Sequence, residues 1–582
     1  MQSMRFSYLS GVLEQLEKVT SGNKMREILS GLLKKNTKEN IEAVSYLVLG
    51  LIDAEYKDVQ TGMADKMVLR AIAVSAGINI EEAGRAFKQK GDIGLVAEKF
   101  RTKGDPLEDF IIKGNELSVN DVLAGLRKIA STSGKGSQEK KINILASLLR
   151  YSSPKEAKYI CRICLGTLRL GVAEMTVLDA LSIAFSGTKK LRPELEKAYN
   201  NSTDIGFVAK TLATKGINEI RKVEVSIGKP IKMMLAQRVK KISEILDRHR
   251  ETAAEEKYDG ERMQIHKNGN NIIIYSRRLE NITHQYPDVV GLAKKQIKAR
   301  QCIVEGECVA VDEKGNIQHF QLLMQRKRKH GIAEYVKKVP VAVYLFDLLY
   351  LNEKSYLNAD YVKRTSALKN IVKETKGFGL ARKIITSDAD KIEGFFLKAL
   401  ERGCEGIIAK SISKEAVYKA GARAWLWIKW KKEYSEKLRD TFDLVVVGAY
   451  FGRGKRSGVY GALLCAAYND KKDLFETLCR LGIGFTDNEL AEMPKMFAKF
   501  KITKKHPRID TEMKADVWFE PKVVIEVLGA ELTLSPIHSC AKDFLKGKGL
   551  ALRFPRLVKF RNDKSAEQAT TSKEVQDIYR KK

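Results

Sequence analysis

The chain has 582 residues, more than one hydrophobic core usually organises, so two to four domains are expected. Its 104 Lys and Arg against 72 Asp and Glu leave a formal net charge of +32, whose field favours a polyanion, nucleic acid first, through release of phosphate counterions. Met1 to Leu33 has neither the apolar core of a signal peptide nor a transit-peptide composition, and no apolar run reaches membrane-span length, which argues for a cytoplasmic, nucleoid-associated chain with no membrane partner.

The first third reads as helix. Leu9, Val12, Leu13 and Leu16 recur at helical spacing, as do Met25, Ile28, Leu29 and Leu32, and the pattern continues past Val177, Leu178 and Leu181. Ser131-Thr132-Ser133-Gly134-Lys135-Gly136 is a loop signal within it. The eight cysteines are scattered, as reduced thiols are; Cys161-x-x-Cys164 has no second pair at zinc-finger spacing and is expected at buried helix positions. The helical block should close between Lys215-Gly216 and Gly228-Lys229-Pro230.

From Lys257 the period becomes strand-like. Met263 to His266, the Asn268-Gly269 turn and Ile272 to Tyr275 predict a hairpin, with further strands at Ile303 to Val311 and Val339 to Leu345 and a helix around Ile392 to Leu400. Lys429 to Arg439 reads as a charged connector. Beyond it, Phe442 to Ala449, Gly458 to Tyr468 and Val523 to Leu534 are β-rich runs with glycine punctuation, which suggest a small barrel of the oligonucleotide-binding type.

Chemistry concentrates at Glu255-Glu256-Lys257-Tyr258-Asp259-Gly260-Glu261-Arg262. A lysine amine is a nucleophile only when unprotonated, a state that burial or nearby cations favour. Further along come Ser276-Arg277-Arg278, Val304-Glu305-Gly306-Glu307, Tyr344-Leu345-Phe346-Asp347, Glu405-Gly406-Ile407-Ile408-Ala409-Lys410 and Trp427-Ile428-Lys429-Trp430-Lys431. Arg553-Phe554-Pro555-Arg556 and Arg561-Asn562-Asp563-Lys564 close the series, in a run from Lys546 to Lys564 that holds seven basic residues and one acid.

In identity and order these segments resemble the signature motifs of ATP-dependent DNA ligases, nearest to the archaeal and eukaryotic replicative type. Met234-Leu235-Ala236, Phe320 to Arg326, Gly448-Ala449-Tyr450 and Leu168-Arg169-Leu170-Gly171-Val172 extend the likeness over essentially the whole chain. The resemblance implies a multidomain fold: an all-α DNA-binding domain (1–220), an α+β antiparallel-sheet nucleotidyltransferase domain (221–433) and a small β-barrel OB-fold domain (434–582). It implies Lys257 as the AMP-carrying nucleophile, and Glu255, Arg262, Arg277, Glu307, Phe346, Arg423 and Lys429 as nucleotide contacts. Phe346 would stack on adenine, and the main chain at Glu255 would meet the edge of the base. Lys431, Arg561 and Lys564 would contact phosphate or the transition state, the last two swinging in with the barrel to orient pyrophosphate. Glu307 and Glu405 would hold a metal, Mg²⁺ with Mn²⁺ as a substitute.

Read on their own, several of these residues have plainer explanations: Glu255 as an exposed acid, Phe346 as core, Glu307 as an arginine's buried partner. Lys429 and Lys431 alternate with Ile428 and Trp430, so a strand would turn both ammonium groups to one face; the resemblance implies that this face meets the α-phosphate and helps to favour the neutral amine of Lys257. The resemblance further implies ATP as adenylyl donor, nicked double-stranded DNA as substrate, a monomer, a sliding clamp as a further partner, and roles in replication, repair, recombination and cell division. RNA ligases and capping guanylyltransferases share the lysine chemistry but not a helical domain of this length ahead of it, NAD-dependent ligases add a four-cysteine zinc site, and a decayed scaffold would not keep Lys257, Glu405, Lys429 and Lys431 together. Two departures stand out: Trp425, Trp427 and Trp430 make the fifth motif bulky, and the chain ends Tyr579-Arg580-Lys581-Lys582 where relatives carry a glutamine-bearing ending.

Overall fold

The computed structural model describes residues 4–35, 38–101, 116–168, 170–327, 331–431, 441–452, 458–529, 531–545 and 547–580. Arg169, Lys546, Lys581, Lys582 and residues 432–439 of the expected connector lie outside them. The chain divides into two compact units, Met1–Gly77 with Ala97–Ser435 and Ile78–Val96 with Glu436–Lys582.

The first unit opens with the expected helices. Phe6–Glu17 buries Leu9, Val12, Leu13 and Leu16, and Gly22–Lys34 buries Met25, Leu29 and Leu32 against Glu174–Ser186. Local chemistry sets the starts: Ser118 with Asp121 and Ser153 with Glu156 form reciprocal capping boxes, and Pro154 fits the first helical turn, where no partner for its missing N–H is needed. Cys161 and Cys164 are buried in helix Pro154–Cys164, as their spacing suggested, and burial pushes the Cys164 thiol up to about 12. Helix Ile205–Lys215 stops at Gly216, one short helix follows over Ile217–Arg221, and the chain then enters sheet.

Among the described residues eleven strands follow in this unit: β1 (Leu235–Arg238), β2 (Thr252–Lys257), β3 (Glu261–Asn268), β4 (Asn271–Ser276), β5 (Gln301–Ala310), β6 (Val341–Leu351), β7 (Lys354–Ser355), β8 (Phe378–Leu380), β9 (Lys383–Thr386), β10 (Gly406–Ser411) and β11 (Arg423–Lys431). They form two sheets, β1-β11-β10-β2-β9 and β4-β3-β5-β6-β7 with β8 beside β6. The β3–β4 hairpin turns at Gly269 (φ 58°) with Asn268 opposite Asn271, where the Asn-Gly pair predicted it. Phe396 of helix Ala389–Glu401 stacks on Trp430 at 4.0 Å between centroids, which contributes about 1 kcal/mol beyond the area it buries. Ile231, Met234, Ile303, Leu349, Tyr418 and Trp427 make a third apolar cluster, drawn from both sheets, with Phe346 and Ile408 packed against it.

The helical block and these sheets meet in a polar seam. Asn200 donates to the Ala420 carbonyl (2.9 Å), Thr203 to the Pro230 carbonyl (2.8 Å), and the Lys232 N–H to the Asn200 carbonyl (3.1 Å). Nearby, His266 is wholly buried: its Nδ1 accepts from the Gly228 N–H at 3.1 Å, and burial pushes the imidazole down to about 3. A second proton on Nδ1 would face that N–H, so folding favours the neutral ring. The stability this provides is complete above the unfolded value of 6.5 and is lost as pH falls towards 3. The gap in unfolding free energy between wild type and His266→Gln should therefore shrink by ~3 kcal/mol on acidification from neutrality to about pH 4, read by denaturant titration.

The second unit holds β12 (Thr441–Phe451), β13 (Tyr460–Asn469), β14 (Leu474–Leu481), β15 (Lys501–Ile502), β16 (Ile509–Asp510), β17 (Val517–Leu528), β18 (Glu531–Ser535), β19 (Gly549–Arg553) and β20 (Arg556–Phe560). A curled sheet runs β15-β17-β12-β13-β14-β16 with β20 on β17, and β18 pairs with β19. This is the expected OB-like domain, and its core is built from Phe442, Leu463, Leu478, Phe497, Phe519 and Val527. Two expectations shift. Lys429–Lys431, read as the start of a connector, are the last residues of β11. The run Val523 to Leu534 is divided between β17, which ends at Leu528, and β18, which begins at Glu531, with Gly529 between them so close to Leu552 that a Cβ would stand 2.2 Å from its Cδ1. Among the described residues no helix is long and apolar enough to cross a membrane.

Candidate active site

Lys257 is the last residue of β2, and Tyr258-Asp259-Gly260 carries the chain from the five-stranded sheet into β3 of the six-stranded one. The crossing is pinned by Tyr258, whose ring lies parallel to that of Tyr344 at 4.3 Å. Gly260 has no room for a side chain, since a Cβ there would meet the Cys308 carbonyl oxygen at 2.2 Å.

Strand register assembles the rest. Gly406 on β10 lies opposite Lys257 on one side and Lys431 on the other, and the Glu405 N–H donates to the Lys257 carbonyl at 2.8 Å. The Glu405 carboxylate is thereby set between two ammonium groups, with Oε2 2.6 Å from Lys257 Nζ and 2.5 Å from Lys431 Nζ. Gly406 permits this approach: at φ 148° its strands run so close that a Cβ would stand 2.2 Å from the Trp430 carbonyl oxygen. The alternation expected of the fifth motif holds, with Ile428 and Trp430 buried and Lys429 and Lys431 half-exposed.

Three carboxyls respond to this charge in different ways. Burial works against ionisation of Glu405, but the charge of Lys257, a hydrogen bond from Asp259 and the charge of Lys431 hold it well below the usual carboxylate range. Asp259 moves the other way, raised by burial and then by its hydrogen bond to Glu405. Burial lifts Glu307 to about 7 against the pull of Lys257 and Arg262. Lys429 is lowered by burial and by the charges of Lys431, Lys257, Arg423 and Arg277, which places five cations within electrostatic reach of one another. Such a set repels itself unless an anion of several charges enters it.

The remaining predicted residues divide. Glu255 is not an exposed acid; it is 3% accessible, with Oε2 2.7 Å from Lys410 Nζ and Tyr361 donating to its other oxygen. Arg262 spends its guanidinium on Glu305 (2.7 Å) and the Met234 carbonyl (2.7 Å), leaving Nε buried without a hydrogen bond. The buried arginine partner is thus Glu305, and Glu307, directly across from Arg262 in the β3–β5 ladder, is left for other contacts. Phe346 lies edge-on to Trp427 (centroids 6.1 Å), with the guanidinium of Arg262 5.3 Å from its ring centre. Arg277, just past β4, and Arg423, at the start of β11, are exposed. Arg561 and Lys564 belong to the second unit, where Asp443 takes both, at 3.0 Å and 2.7 Å.

Sequence reasoning passed over Asp259, Glu305, Tyr361, Lys410 and Tyr418. Asp259, Glu305 and Lys410 stood inside quoted motifs, and a lysine closing an apolar strand was a readable signal for the last. Tyr361 and Tyr418 carry no local pattern; only the fold brings them to Glu255 and Glu305.

Comparison with known proteins places the whole chain in one family. Three family models match: DNA ligase N terminus over residues 5–182, ATP dependent DNA ligase domain over 233–431, and ATP dependent DNA ligase C terminal region over 456–564. The DNA ligase of Staphylothermus marinus is 46% identical over 590 residues, covering 99% of each chain, and DNA ligase 2 of Thermofilum pendens is 45% identical over 584 residues, covering 99% of this chain and 97% of its own. The solved structure called Pmar-Lig_PreS3 superposes with a TM-score of 0.52 at 16% identity, over 95% of this chain and 99% of its own, a likeness of fold.

Proposed function

The chain belongs to the ATP-dependent DNA ligases and seals nicks in DNA with ATP; on that premise we propose that Lys257 is the nucleophile and that residues from both sheets of the first unit form its site. The observation that carries the proposal is the Lys257–Glu405–Lys431 bridge set beside Lys429, Arg277 and Arg423. A triphosphate supplies the polyanion this cluster lacks. As it binds, Lys257 Nζ leaves Glu405 and gives a proton to solvent, the lone pair of the neutral amine attacks the α-phosphorus, the bond to the bridging oxygen breaks, pyrophosphate departs, and the surplus proton on the nitrogen passes to solvent. Lys429 and Lys431 neutralise the charge that grows on the phosphoryl oxygens. AMP, held as a phosphoramide, then passes to the 5′-phosphate oxygen of a nick, and the 3′-hydroxyl displaces it to close the strand. Each step depends on positioning and charge neutralisation more than on acid–base groups.

Phe346 stacks on the adenine, Arg262 Nε and Glu307 reach the ribose, and Arg561 with Lys564 serve the departing pyrophosphate once released from Asp443. A divalent ion would be held by Glu405 and Glu307, each offering a hard oxygen, and otherwise by the phosphates, for among the described residues no three acidic, histidine or cysteine side chains gather into a ready-made metal site. When bound, Mg²⁺, or Mn²⁺ in its place, supplies charge neutralisation at the phosphates. Residues 1–220 act in gripping the duplex, 221–433 in adenylyl transfer and 434–582 in orienting the leaving group, in a monomer that serves replication, repair and recombination.

The test is incubation with α-labelled ATP and Mg²⁺, then denaturing electrophoresis. Wild type should carry label and Lys257→Ala none; label on both, or on neither, refutes the assignment. Affinity for nicked duplex should depend steeply on salt, falling ~10³-fold or more between 50 and 200 mM as the +32 chain releases counterions. Fluorescence anisotropy titrations at several salt concentrations read the slope.

A further inference from the structure

Lys410 is an unusual residue for a core. It lies on β10, is 1% exposed, and points its ammonium at groups from both sheets: Glu255 Oε2 of β2 at 2.7 Å and the Phe346 carbonyl oxygen of β6 at 3.2 Å. The rings of Trp427 and Phe346 stand 4.3 and 4.6 Å away, measured to their centres. An ammonium has three N–H donors, and here two meet oxygens while the rings face the rest of the charge. Tyr361 secures the second oxygen of Glu255 and itself accepts from Lys383 Nζ at 3.2 Å. Burying a charge is costly, and replacing a buried ion pair with well-packed apolar residues is often neutral or stabilising, so packing alone does not call for a lysine at this position.

We propose that Lys410 is a positioning residue for adenylyl transfer: by tying the Glu255 side chain on one sheet to the Phe346 main chain on the other, it sets the gap that receives the purine and so the preference for adenine over guanine. The proposal rests on the reading above, in which Phe346 is the base platform and the main chain at Glu255 meets the edge of the base. A gap of fixed width rejects guanine because the 6-oxo and 2-amino groups then face polar atoms that cannot turn to pair with them. A gap free to widen loses that rejection and binds ATP more weakly, while the phosphate-directed groups on Lys257, Lys429 and Lys431 stay in place.

The experiment uses the full chain with Lys410→Met, Lys410→Arg and Phe346→Ala. Self-adenylylation is followed over a range of ATP and GTP concentrations, and sealing is measured on nicked DNA whose 5′-phosphate already carries AMP. Lys410→Met should raise the KM for ATP about tenfold or more and increase labelling by GTP relative to ATP, with the rate at saturating ATP within about threefold of wild type. Lys410→Arg should recover part of the loss, and both Lys410 variants should seal the 5′-adenylated nick at close to the wild-type rate. An unchanged KM and GTP:ATP ratio in Lys410→Met overturns the proposal, as does an equal loss in adenylylation and in sealing of the 5′-adenylated nick, which marks a general folding role. Should Lys410→Met fail to fold, Lys410→Met/Glu255→Gln removes both charges and is read in the same way. If Phe346→Ala raises the KM and the Lys410 variants do not, only the role of Lys410 fails; if Phe346→Ala also leaves it unchanged, the underlying reading of the base platform fails.

Discussion

Lys257→Arg is expected to abolish nick sealing from ATP, by on the order of 10⁴-fold or more, as removal of a covalent nucleophile does elsewhere. The substitution keeps the positive charge and a reach long enough to pair with Glu405, now 2.6 Å from Lys257 Nζ, so the local electrostatics and the β2–β10 ladder survive. What it removes is the lone pair, because a guanidinium stays protonated at every pH at which the protein is folded. The last step needs no amine at residue 257, since there the 3′-hydroxyl attacks a phosphate already joined to AMP. The variant should therefore take no label from α-labelled ATP and still close a 5′-adenylated nick within about tenfold of wild type. Equal loss in both assays from a folded protein would mean that Lys257 acts mainly through its charge, and the covalent role would go.

Gly406→Ala should have a large effect for a single added methyl group. The added Cβ would lie 2.2 Å from the Trp430 carbonyl oxygen and 2.9 Å from Lys431 Cα, both main chain, so no side chain can move aside to admit it. At φ 148° the alanine is strained as well. Relief requires β10 and β11 to part where Glu405 bridges Lys257 to Lys431. The expected cost is ~3 kcal/mol or more, from backbone strain and overpacking together, with self-adenylylation down by about 100-fold. Thermal unfolding and the labelling assay measure the two effects. Gly269→Ala is the control: its φ of 58° is also unfavourable, but nothing lies within 4 Å of its Cβ, so it should cost ~1 kcal/mol and leave labelling intact. If the two alanines behave alike, the close approach of β10 to β11 is not what holds the site.

Much of the architecture was legible in advance because it rests on local rules. Leu9, Val12, Leu13 and Leu16 marked a helix by spacing alone, Asn268-Gly269 marked a hairpin, and the alternation from Ile428 to Lys431 separated two core side chains from two ammonium groups facing the site. The likeness to ligases brought Lys257, Glu405, Lys429 and Lys431 into one group before any contact was known. Boundaries were weaker, as the break at Gly529 and the strand ending at Lys431 show, because both depend on packing against distant strands.

By itself the amino-acid sequence determined the family, the order of helical, sheet and OB-like regions, and a first set of candidate residues, in which Glu305, Lys410 and Asp443 did not stand. Only the tertiary structure decided which of them touch: that Glu405 bridges Lys257 and Lys431, that Arg262 pairs with Glu305 and leaves Glu307 for other contacts, that Asp443 takes Arg561 and Lys564, and that Lys410 joins Glu255 to Phe346 across two sheets. The reason is physical. Side-chain periodicity records which face of its own strand a residue occupies, whereas its neighbours across the sheet follow from register between segments far apart in the chain, and register is settled only when the whole core packs.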